Sequence, residues 1–155
     1  MVYNGLLKAD GKQIAIVVSR THEFVTGKML EGAKDCIIRH GGNENNIDVF
    51  WVPGSFEVPM AVKLLAEKKK YDGIICIGLV LRGATSHNQV IGGEAAKGIA
   101  QIMLSTGTPV GFGITMAENL EQGIERAGTK MGNRGWDAAM SVLEMMDIKQ
   151  IIKTL

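Results

Sequence analysis

His87 closes the run Arg82-Gly83-Ala84-Thr85-Ser86-His87, and small residues leading into a helix offer two kinds of chemistry. Amides exposed at a helix N-terminus, with the Thr85 and Ser86 hydroxyls beside them, can hold a phosphate without a large basic patch. The same residue types also make ordinary turns and caps. An imidazole in such a loop can give or take a proton near neutral pH, with a solvated loop histidine as the plain alternative. A second loop, Pro53-Gly54-Ser55-Phe56-Glu57, carries a hydroxyl, a ring and a carboxylate. A carboxylate there can accept hydrogen bonds from sugar or polyol hydroxyls, or simply stabilise the helix that follows. Arg126 and Lys130 are spaced so that either can approach an anion, and each taken singly also fits solvated surface charge. His22 follows an apolar run directly, where it either shares a site or caps a helix. His40 stands beside Gly41 and Gly42 at the end of a helical stretch, where the helix dipole explains it. Cys36 and Cys76 sit in apolar segments with no partner at metal-ligand spacing and read as buried reduced thiols.

Those loops need a scaffold, and the apolar pattern supplies one. Ile14 to Ser19 is a short β-branched run of the kind buried on both faces of a sheet. Val25, Met29, Leu30, Ala33, Cys36 and Ile37 follow at helical spacing. Ile47 to Val52 reads as a second strand, Val58 to Lys70 as a helix with a lysine-rich end, and Ile74 to Leu81 as a third strand. Val90 to Ser105 carries Ile91, Ala95, Ile99, Ile102 and Met103 on one helical stripe, and Pro109 to Ile114 is a fourth strand, with Phe112 read first as core. Two helices remain, about Asn119 to Arg126 and Trp136 to Met146, across the glycine-punctuated segment 128–135. Strand and helix alternate four times, and right-handed crossovers then give a three-layer α/β/α sandwich around a four-stranded parallel sheet of flavodoxin-like layout. Ligands in such folds bind beyond the carboxyl ends of the strands, where His22, Glu57 and His87 all fall. Residues 1–12 lie outside the alternation and form an N-terminal arm, either ordered by another subunit or frayed; residues 13–155 make one domain.

Length and composition bound the answer. The 155 residues suit one domain, and 46% apolar against 21% charged residues excludes disorder over most of the chain. Seventeen Lys and Arg against sixteen Asp and Glu leave a formal charge of +1, too little to recruit nucleic acid or an anionic membrane, so an anion site has to be local. No apolar run reaches the roughly 20 residues of a membrane span, and the first residues lack a secretory layout, so a cytoplasmic protein is expected. The 20 glycines, without a repeat, point to tight turns and close backbone approaches.

Three motifs in order carry a family resemblance: Val52-Pro53-Gly54-Ser55-Phe56-Glu57-Val58-Pro59; Arg82-Gly83-Ala84-Thr85-Ser86-His87; and 121–130 (Glu121 to Lys130) with Gly132-Asn133-Arg134-Gly135. Over about residues 12 to 148 the chain resembles lumazine synthase, the 6,7-dimethyl-8-ribityllumazine synthase of riboflavin biosynthesis. The resemblance implies condensation of 5-amino-6-(D-ribitylamino)uracil with 3,4-dihydroxy-2-butanone 4-phosphate, without metal or organic cofactor. It implies that Ser55, Phe56 and Glu57 hold the ribityl chain and ring, with Thr21, His22, Leu79, Val80, Leu81, Phe112, Lys130 and Arg134 lining the pocket. Gly83, Ala84, Thr85, Ser86 and Arg126 would bind phosphate, and His87 would shuttle protons. It further implies sites between adjacent subunits of a homo-oligomer, a pentamer or a sixty-subunit icosahedral shell, and it admits riboflavin synthase as a partner.

The sequence also departs from the resemblance. Thr21 stands where the family usually has an aromatic ring, and Asn88-Gln89-Val90 follows His87 where an aromatic, an acid and a further aromatic or apolar residue are common. Losing a stacked ring costs about 0.5–1.5 kcal/mol beyond area burial. Gln89 cannot ionise, which exposes an acid-base contribution of about 10²–10⁴-fold. Thr115-Met116-Ala117 replaces a threonine-rich stretch. The alternative reading is therefore a paralogue or variant that keeps the oligomeric shell and has lost the chemistry or changed its ligand.

Overall fold

The computed structural model describes residues 1–83 and 86–155. Among them four strands and five α-helices follow in order: β1 (Ile14–Ser19), α1 (Glu23–Arg39), β2 (Ile47–Val52), α2 (Val58–Glu67), β3 (Gly73–Leu81), α3 (His87–Thr106), β4 (Val110–Ala117), α4 (Leu120–Glu125) and α5 (Arg134–Lys153). The four strands form one parallel sheet in the order β2-β1-β3-β4, the flavodoxin-like α/β arrangement expected from the alternation. Strand β1 is buried along its whole length, as its unbroken apolar run requires, whereas β2 at the sheet edge is half-covered.

Side chains alternate across the strands and divide the core in two. Ile14, Ile16, Val18, Ile75 and Ile77 face α1 and α5, meeting Met29, Ala33, Ala139 and Leu143. Ala15, Val17, Ile74 and Cys76 face α2 and α3, meeting Val58, Val62, Ala95 and Ile99. Two glycines allow α5 to press in: a side chain at Gly135 would strike the carbonyl of Met29, and one at Gly111 that of Ala138. Both cysteines are buried and free, and burial pushes the thiols up, to about 11 for Cys36 and about 12 for Cys76. His40 follows α1 as expected, with Nδ1 2.6 Å from the Cys36 carbonyl oxygen.

Several limits differ from the sequence reading, and the differences matter at the site. Helix α3 begins at His87 rather than Val90, so the histidine is the first helical residue and not a loop residue. Asn88 and Gln89 are polar and gave the apolar stripe nothing to mark there. Strand β4 runs to Ala117 rather than Ile114 because β3 offers it a partner as far as Leu81. Helix α2 stops at Glu67, since Lys69 adopts a left-handed backbone (φ 55°) that a helix cannot continue through. Helix α5 is longer than Trp136 to Met146 at both ends. In the N-terminal segment, Leu6 N–H donates to Asp147 at 2.7 Å and Ala9 is buried against the α1/α5 face. Among the described residues no helix is long and apolar enough to cross a membrane.

Candidate active site

Strands β1 and β3 pair only as far as Ile77, so Gly78 to Leu81 project beyond β1 and leave a notch at the carboxyl edge. The chain after β2 fills one side of it. Gly54 leads into a single 3-10 turn over Ser55–Glu57, which hands directly into α2 with Pro59 in its first turn. Helix α3 forms the other side. The result is a cleft of about 480 Å³ with Leu79, Val80, Leu81, Val90 and Ile91 as its apolar lining. Thr21, His22, Ser55, Phe56, Glu57 and His87 supply its remaining expected members.

The polar groups in this cleft come from three strand ends. His22 precedes α1 with a left-handed backbone (φ 59°, ψ 48°) and gives the helix no side-chain cap. A non-glycine residue held there is under local strain, which is common where backbone geometry serves a site. Thr21 donates its hydroxyl to the Pro53 carbonyl at 3.1 Å and accepts no stacking role; its own N–H is bonded to Ser19 Oγ at 3.2 Å. Ser55 is 5% exposed, and its Oγ is the buried side-chain polar atom without a hydrogen-bond partner among the described residues. Leaving such a group unpaired costs about 1–3 kcal/mol, which a ligand hydroxyl or carbonyl placed beside it would recover. Phe56 is 62% exposed and its ring is among the groups that line the cleft.

Phe112, Arg126 and Arg134 do not join this cleft. They line a second one of about 280 Å³ beside β4, together with Ile114, Thr115 and Met116. Phe112 is therefore not core: it is 44% exposed because it lies on an edge strand. Arg126 donates to the Met116 carbonyl at 3.0 Å, and Arg134 N–H donates to the Arg126 carbonyl at 2.9 Å, so the backbone itself brings the two guanidinium side chains together. Asn133 fixes that corner by accepting from Gly135 and Trp136 N–H at 2.8 and 3.1 Å while donating to the Lys28 carbonyl at 3.0 Å. Arg134 also pairs with Asp137 at 3.2 Å. Lys130 is exposed and lines neither cleft. Gly83 takes a left-handed backbone (φ 53°), and Ser86 precedes α3 without a side-chain cap bond; Ala84 and Thr85 lie outside the described residues.

A model for the family described as 6,7-dimethyl-8-ribityllumazine synthase matches residues 11–150. The chain belongs to the lumazine synthase family. Membership agrees with the parallel sheet and with the position of the first cleft at its carboxyl edge, and it points to small-molecule substrates. Pro53, Gly54, Asn88, Val90 and Ile91 line the first cleft without having been singled out for it. Their signal was adjacency to His87 and Ser55, since a cleft wall at a helix N-terminus takes its first two turns as well as its first residue. Ile114 and Met116 were missed in the second cleft because apolar strand residues look alike whether they face core or ligand.

Proposed function

We propose that this protein condenses 5-amino-6-(D-ribitylamino)uracil with 3,4-dihydroxy-2-butanone 4-phosphate to give 6,7-dimethyl-8-ribityllumazine, phosphate and water. The observation that carries the reading is the first cleft: in a chain of this family, an exposed ring, a carboxylate, an unpaired buried hydroxyl and an imidazole meet over an apolar floor. Phe56 offers a face to the pyrimidine, and Glu57 with Ser55 accept or share hydrogen bonds with the ribityl hydroxyls. His87 moves protons while the amine adds to the ketone, water leaves to form the imine, phosphate departs and the ring closes with loss of a second water. Holding two reactants in one geometry supplies much of the rate, since effective molarities for such arrangements reach about 10⁵–10⁸ M.

The phosphate is assigned to Gly83, Ala84, Thr85 and Ser86 with Arg126. Arg126 belongs to the second cleft of its own chain, which supports a site completed by a neighbour: the first cleft of one subunit faces the β4 side of the next. A homo-oligomer, as a pentamer or a shell of pentamers, is accordingly part of the proposal, as are Lys130 and Arg134 lining the shared pocket and a cytoplasmic setting. Thr21, bonded to Pro53 rather than presenting a ring, favours the second reading, an assembled protein without the chemistry. Absorbance-detected lumazine formation by the purified, assembled protein decides between them. Acceleration above the uncatalysed condensation in the same buffer supports the synthase; a rate equal to background leaves the scaffold.

A further inference from the structure

His87 opens α3, and the start of that helix has little to hold it. Ser86 gives it no side-chain cap, the chain before it turns through Gly83 at φ 53°, and the imidazole is exposed. Uncapped first turns leave their amides without partners and fray. Among the described residues one side-chain bond ties this turn to the sheet: the Asn88 carboxamide donates from Nδ2 to the Leu81 carbonyl at the end of β3. That carbonyl is free to receive it for a topological reason. Arg82 N–H is spent on Ala117 across the β3/β4 ladder at 2.8 Å, so the alternation of the strand turns the Leu81 carbonyl to the opposite side. On that side β1 has already ended, its pairing with β3 stopping at Ile77. The amide of Asn88 occupies the place a strand neighbour would otherwise fill.

We propose that Asn88 is a positioning residue for His87, clasping the first turn of α3 to the end of β3 so that the adjacent imidazole is held at the cleft. Its side chain is half-buried and lines the same cleft as His87, and the two residues share a peptide unit, so the position of one fixes the backbone of the other. An amide suits the task and its neighbours in size do not. A leucine has no donor, and an ionised aspartate sets a carboxylate against a carbonyl oxygen. A displacement of about 1 Å in a reacting group can cost about 10²-fold in rate, so the clasp acts on turnover more than on binding.

The kinetic arm of the test rests on the synthase reading, and the chemical arm does not. Asn88→Leu removes the donor while keeping the branched shape, its two methyl groups bulkier than the amide atoms they replace; Asn88→Ala serves where leucine prevents folding, and Asn88→Gln keeps a carboxamide. In assembled protein, carbethoxylation of His87 by diethyl pyrocarbonate is followed by mass spectrometry with His40 as the internal reference. The expected result is a His87 rate at least about 3-fold higher in Asn88→Leu, with His40 unchanged and Asn88→Gln nearer the wild type. Lumazine formation in Asn88→Leu is expected to show kcat lower by about 10- to 100-fold, with both KM values within about 3-fold. A wild type without activity overturns the synthase reading and leaves the carbethoxylation ratio to decide the clasp. An unchanged His87 ratio in Asn88→Leu, or an Asn88→Gln no better than it, overturns the clasp whatever the activity.

Discussion

The cleft between β3 and α3 carries an imidazole, a carboxylate and a buried hydroxyl over an apolar floor, with no arginine among its described lining residues. The cleft beside β4 carries two arginines and a ring, with neither histidine nor carboxylate among its described lining residues. The first lies at the carboxyl edge of the sheet and the second along its β4 side, and they are built differently. In the first, helix starts and strand ends converge, which delivers side chains that donate and accept protons. In the second, a turn closed by the Arg126 to Arg134 backbone bond presents two permanent positive charges. Each therefore has what the other lacks for the proposed reaction, which handles a polyol, a phosphate and several protons.

Mixing two damaged chains is the strongest way to break that comparison. His87→Ala is expected to lower kcat by about 10²–10⁴-fold, the range of a lost acid-base group, with assembly intact. Co-assembled in equal amounts with Arg126→Ala and assayed with the phosphate substrate well below its KM, where each variant alone is slow, it should regain about a quarter of wild-type activity, because a site made by two neighbours is undamaged in one random pairing of four. No recovery in verified mixed oligomers would mean that each chain completes its own site. Arg126→Ala alone should raise KM for the phosphate substrate by about 10- to 100-fold, as expected for a lost charged hydrogen bond, with little change for the aminouracil. An equal rise for both substrates would assign Arg126 to holding β4 through Met116 instead.

Ser55→Ala sharpens the first cleft. Its hydroxyl has no partner among the described residues, so Tm should stay within a few degrees while KM for the ribityl substrate rises about 3- to 10-fold, the loss of a neutral hydrogen bond. A large fall in Tm would show that the hydroxyl serves the fold. The smallest effect is expected away from both clefts. Asp48 accepts from Lys70 at 2.8 Å and from Tyr71 at 2.6 Å, and these bonds, Lys70 first, hold its carboxyl below the usual carboxylate range. A lowered carboxyl stabilises the fold above the ordinary carboxylate pKa of about 3.9, and that contribution is lost as pH falls through the folded value. Asp48→Asn should leave lumazine formation unchanged and lower Tm slightly at neutral pH, with the difference from wild type vanishing in acid titration. A difference that persists at the lowest pH would trace to packing rather than charge.

The alternation of β-branched runs with helical stripes was enough to read the parallel sheet, because strands buried on both faces have to be apolar throughout. Helix limits were less legible where the signal is polar. Asn88 and Gln89 carry no hydrophobic period, so nothing marked His87 as helical, and Lys69 ends α2 through its backbone conformation rather than its type. Among candidate site residues, Ser55, Phe56, Glu57 and His87 stood out because polar or aromatic groups beside glycine and proline at strand ends have few structural duties. Phe112 was read first as core and placed at a pocket by the resemblance, since a ring in a strand reads as core until its edge position is known.

The residue pattern by itself determined the layer architecture, the edge at which a ligand can enter and the family to which the motifs belong, all of which follow from local periodicity and short-range order along the chain. Only the tertiary structure decided how the candidate residues group. Whether Arg126 faces His87 or Arg134, whether Thr21 meets a ligand or Pro53, and whether the Leu81 carbonyl has a strand neighbour or Asn88 depend on where strands end relative to one another. Those distances are set by the register of the sheet and the packing of α5 onto Gly111 of β4 and, through its own Gly135, onto Met29 of α1, contacts between residues far apart in sequence that no local pattern encodes.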